Sequence, residues 1–270
     1  MNPLVSINIT TFNRPKLLNR SLYSIISQSY KNFEVIVVDD CSNDETEEMM
    51  KGFLNNNIRI KYIKHKENKG NAAARNTALI NSKGKYIAFM DDDDIWVDKN
   101  KIKKQVKLFE SVNENVGLIC TSVIIRDRNK NETEIICKKP ENLKERILSG
   151  NGIIYSPTVM TKKIILEKVG GFDEKMPRGV DSEFYRACIV KFGYDVYFMS
   201  DLTTIVDVGH NNKRMTDMEG RKALSISLKT NLYLLSKYFF DYLKYPTALF
   251  VRVLNIIKLY YKLIITVIKR

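Results

Sequence analysis

Tyr86-Ile87-Ala88-Phe89-Met90-Asp91-Asp92-Asp93-Asp94-Ile95-Trp96 is the stretch whose reading settles the fold class. Tyr86 to Met90 is apolar without a break. A strand with one wet face would alternate apolar and polar residues, so this one is expected to be covered on both faces. Strands of that kind belong to parallel α/β sheets, where ligands bind outside the carboxyl ends. The four carboxylates therefore stand where a ligand is expected.

Working outward, Val5 to Ile9 and Val35 to Val38 are further strand candidates, and Leu17 to Ile26 is a helix with Leu17, Leu18, Leu22, Ile25 and Ile26 on one face. Pro15 lies at its start, where a missing N–H costs little. Asp44 to Phe53 predicts a second helix, Ile58 to Ile63 a third strand and Asn71 to Ile80 an alanine-rich helix, which is the rhythm of βαβ units. Downstream, Ile102, Val106 and Phe109 mark a helix, and Val116 to Ile125 with Thr133 to Cys137 mark two strands. Helices near Leu143 to Leu148, Lys162 to Val169 and Ser182 to Phe192 follow, with strands at Val196 to Met199 and Thr204 to Val208.

Two other strand ends are polar: Thr10-Thr11-Phe12-Asn13-Arg14 and Asp39-Asp40-Cys41-Ser42. A carboxylate at Asp39 or Asp40 can accept a hydrogen bond from a base or a ribose, while Ser42, Asn43 or Asp44 can cap the next helix. Four adjacent carboxylates repel one another unless a hard cation or another positive group neutralises them. Magnesium or manganese suits such oxygen donors and lets substrate phosphates complete its shell. The alternative is a solvated acidic turn. Arg75, on the alanine-rich helix, has the planar fork that grips phosphate or base oxygens, and otherwise is a surface arginine.

The ordered set Thr-Thr-Phe-Asn-Arg (10–14), Val-Asp-Asp-Cys-Ser (38–42), Gly70 with Ala74-Arg75-Asn76, and Phe89 to Trp96 resembles the inverting family 2 glycosyltransferases over roughly residues 4 to 215. The resemblance implies an α/β fold of the GT-A (Rossmann-like) type, a mixed sheet flanked by helices, over residues 1–215; the remainder, 216–270, is read from its own pattern as a helical C-terminal extension. It implies transfer of a sugar from a nucleotide-sugar donor, a UDP-sugar first among them, to a hydroxyl of a glycan or lipid-linked acceptor, assisted by Mg2+ or Mn2+. Thr10, Phe12, Asn13, Arg14, Asp40, Arg75, Asp91 and Asp92 become nucleotide-sugar-binding residues. Asp93, Asp91 and His210 become metal ligands, with Arg214 a phosphate contact. Phe12 stands where tyrosine is common, which keeps stacking and loses a phenolic hydrogen bond. Gly170 to Glu174 and Val180 to Phe184 resemble the family's later motifs, so that Asp181 matches the general base, although Val180 replaces the usual glutamate. Without the resemblance, Asp181 is an acid opening a helix, favoured by its dipole. Asp173 reads as a turn or structural carboxylate and His65 as structural or exposed.

Apolar residues at 44% and charged residues at 28% indicate a globular chain. The net charge of +13 suits polyanionic partners, but no recognition helix, zinc finger or aromatic RNA-binding signature is present, which ranks nucleic acid far behind. Cys41, Cys120, Cys137 and Cys188 form no CxxC pair and suit reduced thiols. No secretory signal pattern opens the sequence, so a cytoplasmic location is expected. From Pro246 a helix would gather Arg252, Asn255, Lys258, Lys262, Lys269 and Arg270 on one side and Leu249, Phe250, Val253, Ile256, Ile257, Tyr260, Leu263, Ile264 and Val267 elsewhere. Such a helix is expected to lie peripherally on the inner face of the cell membrane. Packing on the catalytic domain or in a homo-oligomer is the alternative. A noncatalytic scaffold that keeps the nucleotide-sugar fold is the competing function.

Overall fold

The computed structural model describes residues 2–54, 59–150, 152–210 and 220–268. The chain forms two compact units: Met1–Lys139 with Ile153–Phe172 and Tyr194–His210, and Pro140–Gly152 with Asp173–Gly193 and Asn211–Arg270. Arg214, Lys269 and Arg270 lie outside the described residues.

In the first unit the apolar runs become a parallel core, β1 (Val5–Thr11), β2 (Phe33–Asp39), β3 (Ile60–Lys64) and β4 (Tyr86–Asp91). Three helices connect them: α1 (Pro15–Ile26), α2 (Thr46–Leu54) and α3 (Asn71–Asn81). Pro15 occupies the first turn of α1, and Leu18, Leu22 and Ile25 are buried. β1 pairs in parallel with both β2 and β4, and β2 with β3. Thr10 stands opposite Val38 on one side and Asp91 on the other, so the three polar strand ends share one edge.

The rest of the sheet comprises β5 (Ile95–Trp96), β6 (Val116–Arg126), β7 (Glu132–Ile135), β8 (Met160–Lys162) and β9 (Asp195–Asp207), with α4 (Lys101–Phe109) between β5 and β6. The order is β3-β2-β1-β4-β8-β6-β9-β5, with β7 beside β6. β8 is antiparallel to both β4 and β6, which makes the sheet mixed. The expected strands at Val196 to Met199 and Thr204 to Val208 are one strand, β9, interrupted by an irregularity in its register against β6. β5 and β8 are two and three residues long, too short for a periodic pattern to announce them.

The second unit is helical. It contains α5 (Leu143–Ser149), α7 (Val180–Arg186), α8 (Gly220–Lys237), α9 (Phe239–Lys244) and α10 (Pro246–Ile268), whereas α6 (Lys163–Val169) belongs to the first. Helix α7 continues into a π turn over Ala187–Lys191. Arg252 was expected on a wet, lipid-facing stripe. It is instead 4% exposed and donates to the Tyr242 hydroxyl at 2.8 Å, to Asn231 Oδ1 at 2.7 Å and to the Leu148 carbonyl at 2.5 Å. The terminal carbonyls of α5 need partners, and a buried guanidinium supplies them. Phe250, Val253, Ile257, Tyr260, Tyr261 and Ile264 are exposed. Among the described residues no helix is long and apolar enough to cross a membrane.

Lys101 is fully buried at the start of α4, donating to Gln105 Oε1 at 2.8 Å and lying 4.3 Å from the centroid of the Trp96 ring. Burial pulls its ammonium down to about 7. Its folded value lies below the ordinary lysine value, so the unfolded chain binds the extra proton between about pH 7 and 10 and stability rises with pH there. Chemical denaturation at pH 7 and pH 9.5 is expected to show that gain in the wild type, on the order of 1–3 kcal/mol, and to show little of it in Lys101→Met. Equal slopes in the two proteins would contradict the buried cation.

Candidate functional site

The acidic run closes a tight turn after β4, with the Asp94 N–H donating to the Asp91 carbonyl at 3.2 Å. Asp92, Asp93 and Asp94 are only 5%, 4% and 1% exposed, which rules out a solvated acidic turn. Helix α1 supplies the scaffold. Ser21 Oγ lies 2.9 Å from the Asp92 carbonyl and 2.5 Å from that of Asp94, and Arg20 donates through Nη2 to the Asp93 carbonyl at 2.5 Å. Arg20 also reaches Asp207 Oδ2 at 2.6 Å through Nη1, and the Asp207 N–H returns to Asp94 Oδ1 at 3.1 Å. The end of β9 is thereby tied to the end of β4.

Buried carboxylates of this density persist only with counter-charges inside the protein. Arg14 Nη1 stands 3.0 Å from Asp92 Oδ1 and 3.3 Å from Asp93 Oδ2, and Thr11 donates to Asp92 Oδ2 at 2.8 Å. His210 Nε2 meets Asp93 Oδ2 at 2.9 Å. Arg75, 7% exposed, is no surface arginine: its Nη2 donates to Asp91 Oδ1 at 2.7 Å, its Nη1 to Ser156 Oγ at 3.2 Å and its Nε to Asn71 Oδ1 at 2.9 Å. Burial pushes the Asp92 carboxyl up to about 6; Arg14 offsets part of that rise and the charge on Asp93 adds to it. Burial alone would lower the Arg14 guanidinium, but Asp92 and Asp93 outweigh it and raise it.

At the end of β2 the two aspartates divide their tasks. Asp39 accepts from the Ser42 N–H at 2.7 Å and the Tyr62 hydroxyl at 2.5 Å, which closes the turn. Asp40 accepts from the N–H groups of Lys69 and Gly70 at 2.8 and 2.7 Å, and its Oδ1 lies 2.8 Å from His65 Nδ1. Asp40 thus holds the loop that enters α3, and Gly70, at φ 88, has a backbone that a side chain would strain. Asn13 (φ 54) and Cys41 (φ 72) are also left-handed. Asparagine tolerates this region, and at Cys41 it costs on the order of 1 kcal/mol, strain of the kind found beside functional sites. The Asn13 N–H donates to Ser42 Oγ at 2.8 Å and its Oδ1 accepts from the Asn43 N–H at 2.9 Å, joining the ends of β1 and β2. Beside them the Phe12 ring is 44% exposed, and Thr10 Oγ1 lies 3.4 Å from Asn71 Oδ1.

The first unit therefore brings together Thr10, Phe12, Asn13, Arg14, Asp40, Arg75, Asp91, Asp92, Asp93 and His210 along one sheet edge. Asp181 belongs to the second unit, in the first turn of α7 after Gly179. Its neighbour Glu183 is buried and accepts from the Tyr238 hydroxyl at 2.8 Å. Asp173 pairs with Lys237 and with the Tyr233 hydroxyl, a structural carboxylate as expected. Among the described residues no three His, Cys, Asp or Glu side chains are grouped to hold a metal ion. Asp93 and His210 do meet, and His210 Nδ1 is buried with no hydrogen-bond partner among the described residues. The carboxylate suits a magnesium or manganese ion that takes most of its shell from phosphate and water, and the imidazole nitrogen fits manganese better than the harder magnesium.

Arg20, Ser21 and Asp207 escaped the sequence reading, as did the pairing of His65 with Asp40. Asp207 directly follows apolar Ile205-Val206 as Asp39 follows Val37-Val38, so the strand-end rule could have found it. Arg20 and Ser21 carry no such signal, because a helix interior gives no reason to single out one polar face.

A family model described as glycosyl transferase family 2 matches residues 6–169. An uncharacterized glycosyltransferase of Methanocaldococcus jannaschii is 35% identical over 201 residues, covering 72% of this chain and 68% of that protein. The solved structure of S. aureus TarS in complex with UDP-GlcNAc superposes with a TM-score of 0.65 at 20% identity, over 86% of this chain and 66% of that one. The Pyrobaculum calidifontis mannosyltransferase PcManGT in complex with GDP-Man and Mn2+ gives a TM-score of 0.65 at 20% identity, over 94% and 74%. The chain thus spans about two thirds of the TarS fragment 1–349 that was solved, and these likenesses establish a GT-A architecture.

Arg14→Met should leave two buried carboxylates with one counter-charge fewer, a loss on the order of 3 kcal/mol at pH 8. Asp92 has a folded value above its ordinary one, so the stability it contributes is complete below about pH 4 and lost as pH rises through about 6. Removing Arg14 moves that window upward. The destabilisation measured by urea titration should therefore be larger at pH 8 than at pH 5, and a deficit independent of pH would contradict the pairing.

Proposed function

The chain belongs to glycosyl transferase family 2, and on that footing we propose that it moves a sugar, with inversion, from a UDP-sugar or related nucleotide-sugar donor to a hydroxyl of a glycan or lipid-linked acceptor. The observation that carries this reading is the buried Asp93 carboxylate flanked by Arg14 and His210 at the mouth of the sheet. Phe12, with an exposed ring, stacks on the base. Asp40 holds the loop over 65–70 that borders the base and has lone pairs left to accept from it. Arg14, Asn13 and Arg75 hold the donor's diphosphate and ribose edge, Arg14 and Arg75 by exchanging part of their carboxylate contacts for phosphate. Asp91 and Asp92 fix those arginines. Asp93 and His210 would hold a divalent cation, which when bound would neutralise charge on the leaving diphosphate; Asp91 would join them only by giving up its contact with Arg75.

Asp181 is the general base of this scheme. An acceptor hydroxyl is a poor nucleophile at neutral pH, and a carboxylate in hydrogen-bond reach removes its proton as the new glycosidic bond forms. Attack from the face opposite the leaving group inverts the anomeric centre. The donor's sugar–phosphate bond breaks in that step, and the nucleoside diphosphate leaves with the bonding pair.

For the C-terminal helix we retain a peripheral membrane site, redrawn on the exposed residues. At about 100° per residue, Phe250, Val253, Ile257, Tyr261 and Ile264 form one stripe, with Lys258 and Lys262 along one border. An apolar stripe bordered by cations suits an anionic lipid surface, and would hold the enzyme near a lipid-linked acceptor.

Steady-state assays over a nucleotide-sugar panel are expected to show Asp181→Asn reducing kcat by about 10²–10⁴ with little change in donor affinity. Undiminished turnover would remove Asp181 from the mechanism. In a separate flotation assay, the full chain should rise with phosphatidylglycerol vesicles, and Lys258→Glu/Lys262→Glu should release most of it. Retention unchanged by the charge reversal would dismiss the membrane site.

A further inference from the structure

The first unit also has a cavity whose lining shares no residue with the acidic turn. It measures about 660 Å3, inside the range of roughly 300–1,000 Å3 in which small-molecule ligands are usually held. Three segments line it: Lys104, Lys107 and Leu108 from α4, Cys137 to Lys139 beyond β7, and Tyr197 to Asp201 in the first half of β9. The nucleotide-facing end of β9 is Asp207, and the six residues from Asp201, the lining residue nearest to it in sequence, span on the order of 20 Å at about 3.3 Å each.

The cavity has a structural cause. Thr121 pairs with Met199 but Ser122 pairs with Leu202, so Ser200 and Asp201 are extra residues on the β9 side. Bulges of this kind bend a strand and re-aim its side chains. Here Asp201 swings onto Lys104 at 2.6 Å. Ser122 Oγ donates to the Met199 carbonyl at 3.2 Å and accepts the Cys137 N–H at 2.9 Å, fixing the floor.

The charges are unequal. Lys104 is shared by Asp98 and Asp201, and Lys139 is paired with Asp195 at 2.6 Å. Lys107 and Lys138 are exposed and carry no ion pair among the described residues. The same groove is lined by Tyr197, 43% exposed, and by Ser111 and Ser200. Ammonium groups recognise carboxylates and phosphates, an aromatic face recognises the C–H face of a sugar ring, and serines suit its hydroxyls. A concave groove also suits a short chain of sugars better than a flat bilayer.

We propose that this groove is a binding site for an acidic saccharide, with Lys107 and Lys138 meeting its carboxylate or phosphate groups and Tyr197 stacking on a sugar ring. It is separate from the donor site and would hold a stretch of acceptor or product glycan. That the ligand is a saccharide rests on the glycosyl-transfer reading; that it is anionic rests on the groove alone.

The test is isothermal titration of the full-length protein with tetragalacturonate, with neutral maltotetraose as control, in the wild type and in Lys107→Glu/Lys138→Glu and Tyr197→Ala. All three positions are exposed, so folding should survive, and melting temperature checks it. Tetragalacturonate should bind at least tenfold more tightly than maltotetraose. The double reversal should weaken it at least tenfold and Tyr197→Ala about fivefold. No binding, equal binding of both sugars, or indifference to both variants would overturn the proposal. So would the double reversal releasing phosphatidylglycerol vesicles while tetragalacturonate fails to bind. UDP binding is measured on the same samples: lost saccharide binding with intact UDP binding refutes this site alone, whereas absent UDP binding with charge-dependent saccharide binding refutes the donor site and supports the groove.

Discussion

The first unit depends on keeping a run of carboxylates out of water at the end of one strand. Asp92, Asp93 and Asp94 are nearly inaccessible, and Arg14 and Arg75 answer the charges of the run, His210 meets Asp93, and Arg20 and Ser21 hold its backbone. A buried carboxylate costs several kcal/mol unless it is paired and hydrogen-bonded. This requirement explains why α1, α3 and the end of β9 all send polar groups to the same turn. The site is set in advance, and a donor bringing phosphates there would meet cations already aligned.

Much of this was legible in the sequence, for physical reasons. Unbroken apolar runs at Val35 to Val38 and Tyr86 to Met90 can only be strands covered on both faces, and they fix a parallel sheet with its polar ends on one edge. The candidate residues of that edge follow directly. Harder to see was that the acidic run is balanced by protein cations, because Arg14 and Arg20 lie 78 and 73 residues upstream of their partners and only the packing of α1 brings them back. His65 illustrates the same limit: nothing around it in the chain marks it, yet it sits on Asp40.

The C-terminal helix shows how a periodic pattern can mislead in detail. Arg252 fits a wet stripe by angle alone, but the carbonyl end of α5 and the Tyr242 hydroxyl recruit it inward. The arginine then serves as a cap, and the apolar stripe centred on Ile257 is left outward. Two-residue β5 and the break inside β9 were invisible for the opposite reason: they are created by pairing partners, not by their own composition.

In the function proposed above, Asp93, with His210, engages the donor's diphosphate through a divalent cation. The most direct measurement is the affinity of UDP for the wild-type chain and for Asp93→Ala, with Mn2+ and with chelator. The account predicts that Mn2+ tightens UDP binding at least tenfold in the wild type and scarcely at all in Asp93→Ala. Equal UDP affinity with and without Mn2+ in the wild type, or a metal effect that survives in Asp93→Ala, would contradict it.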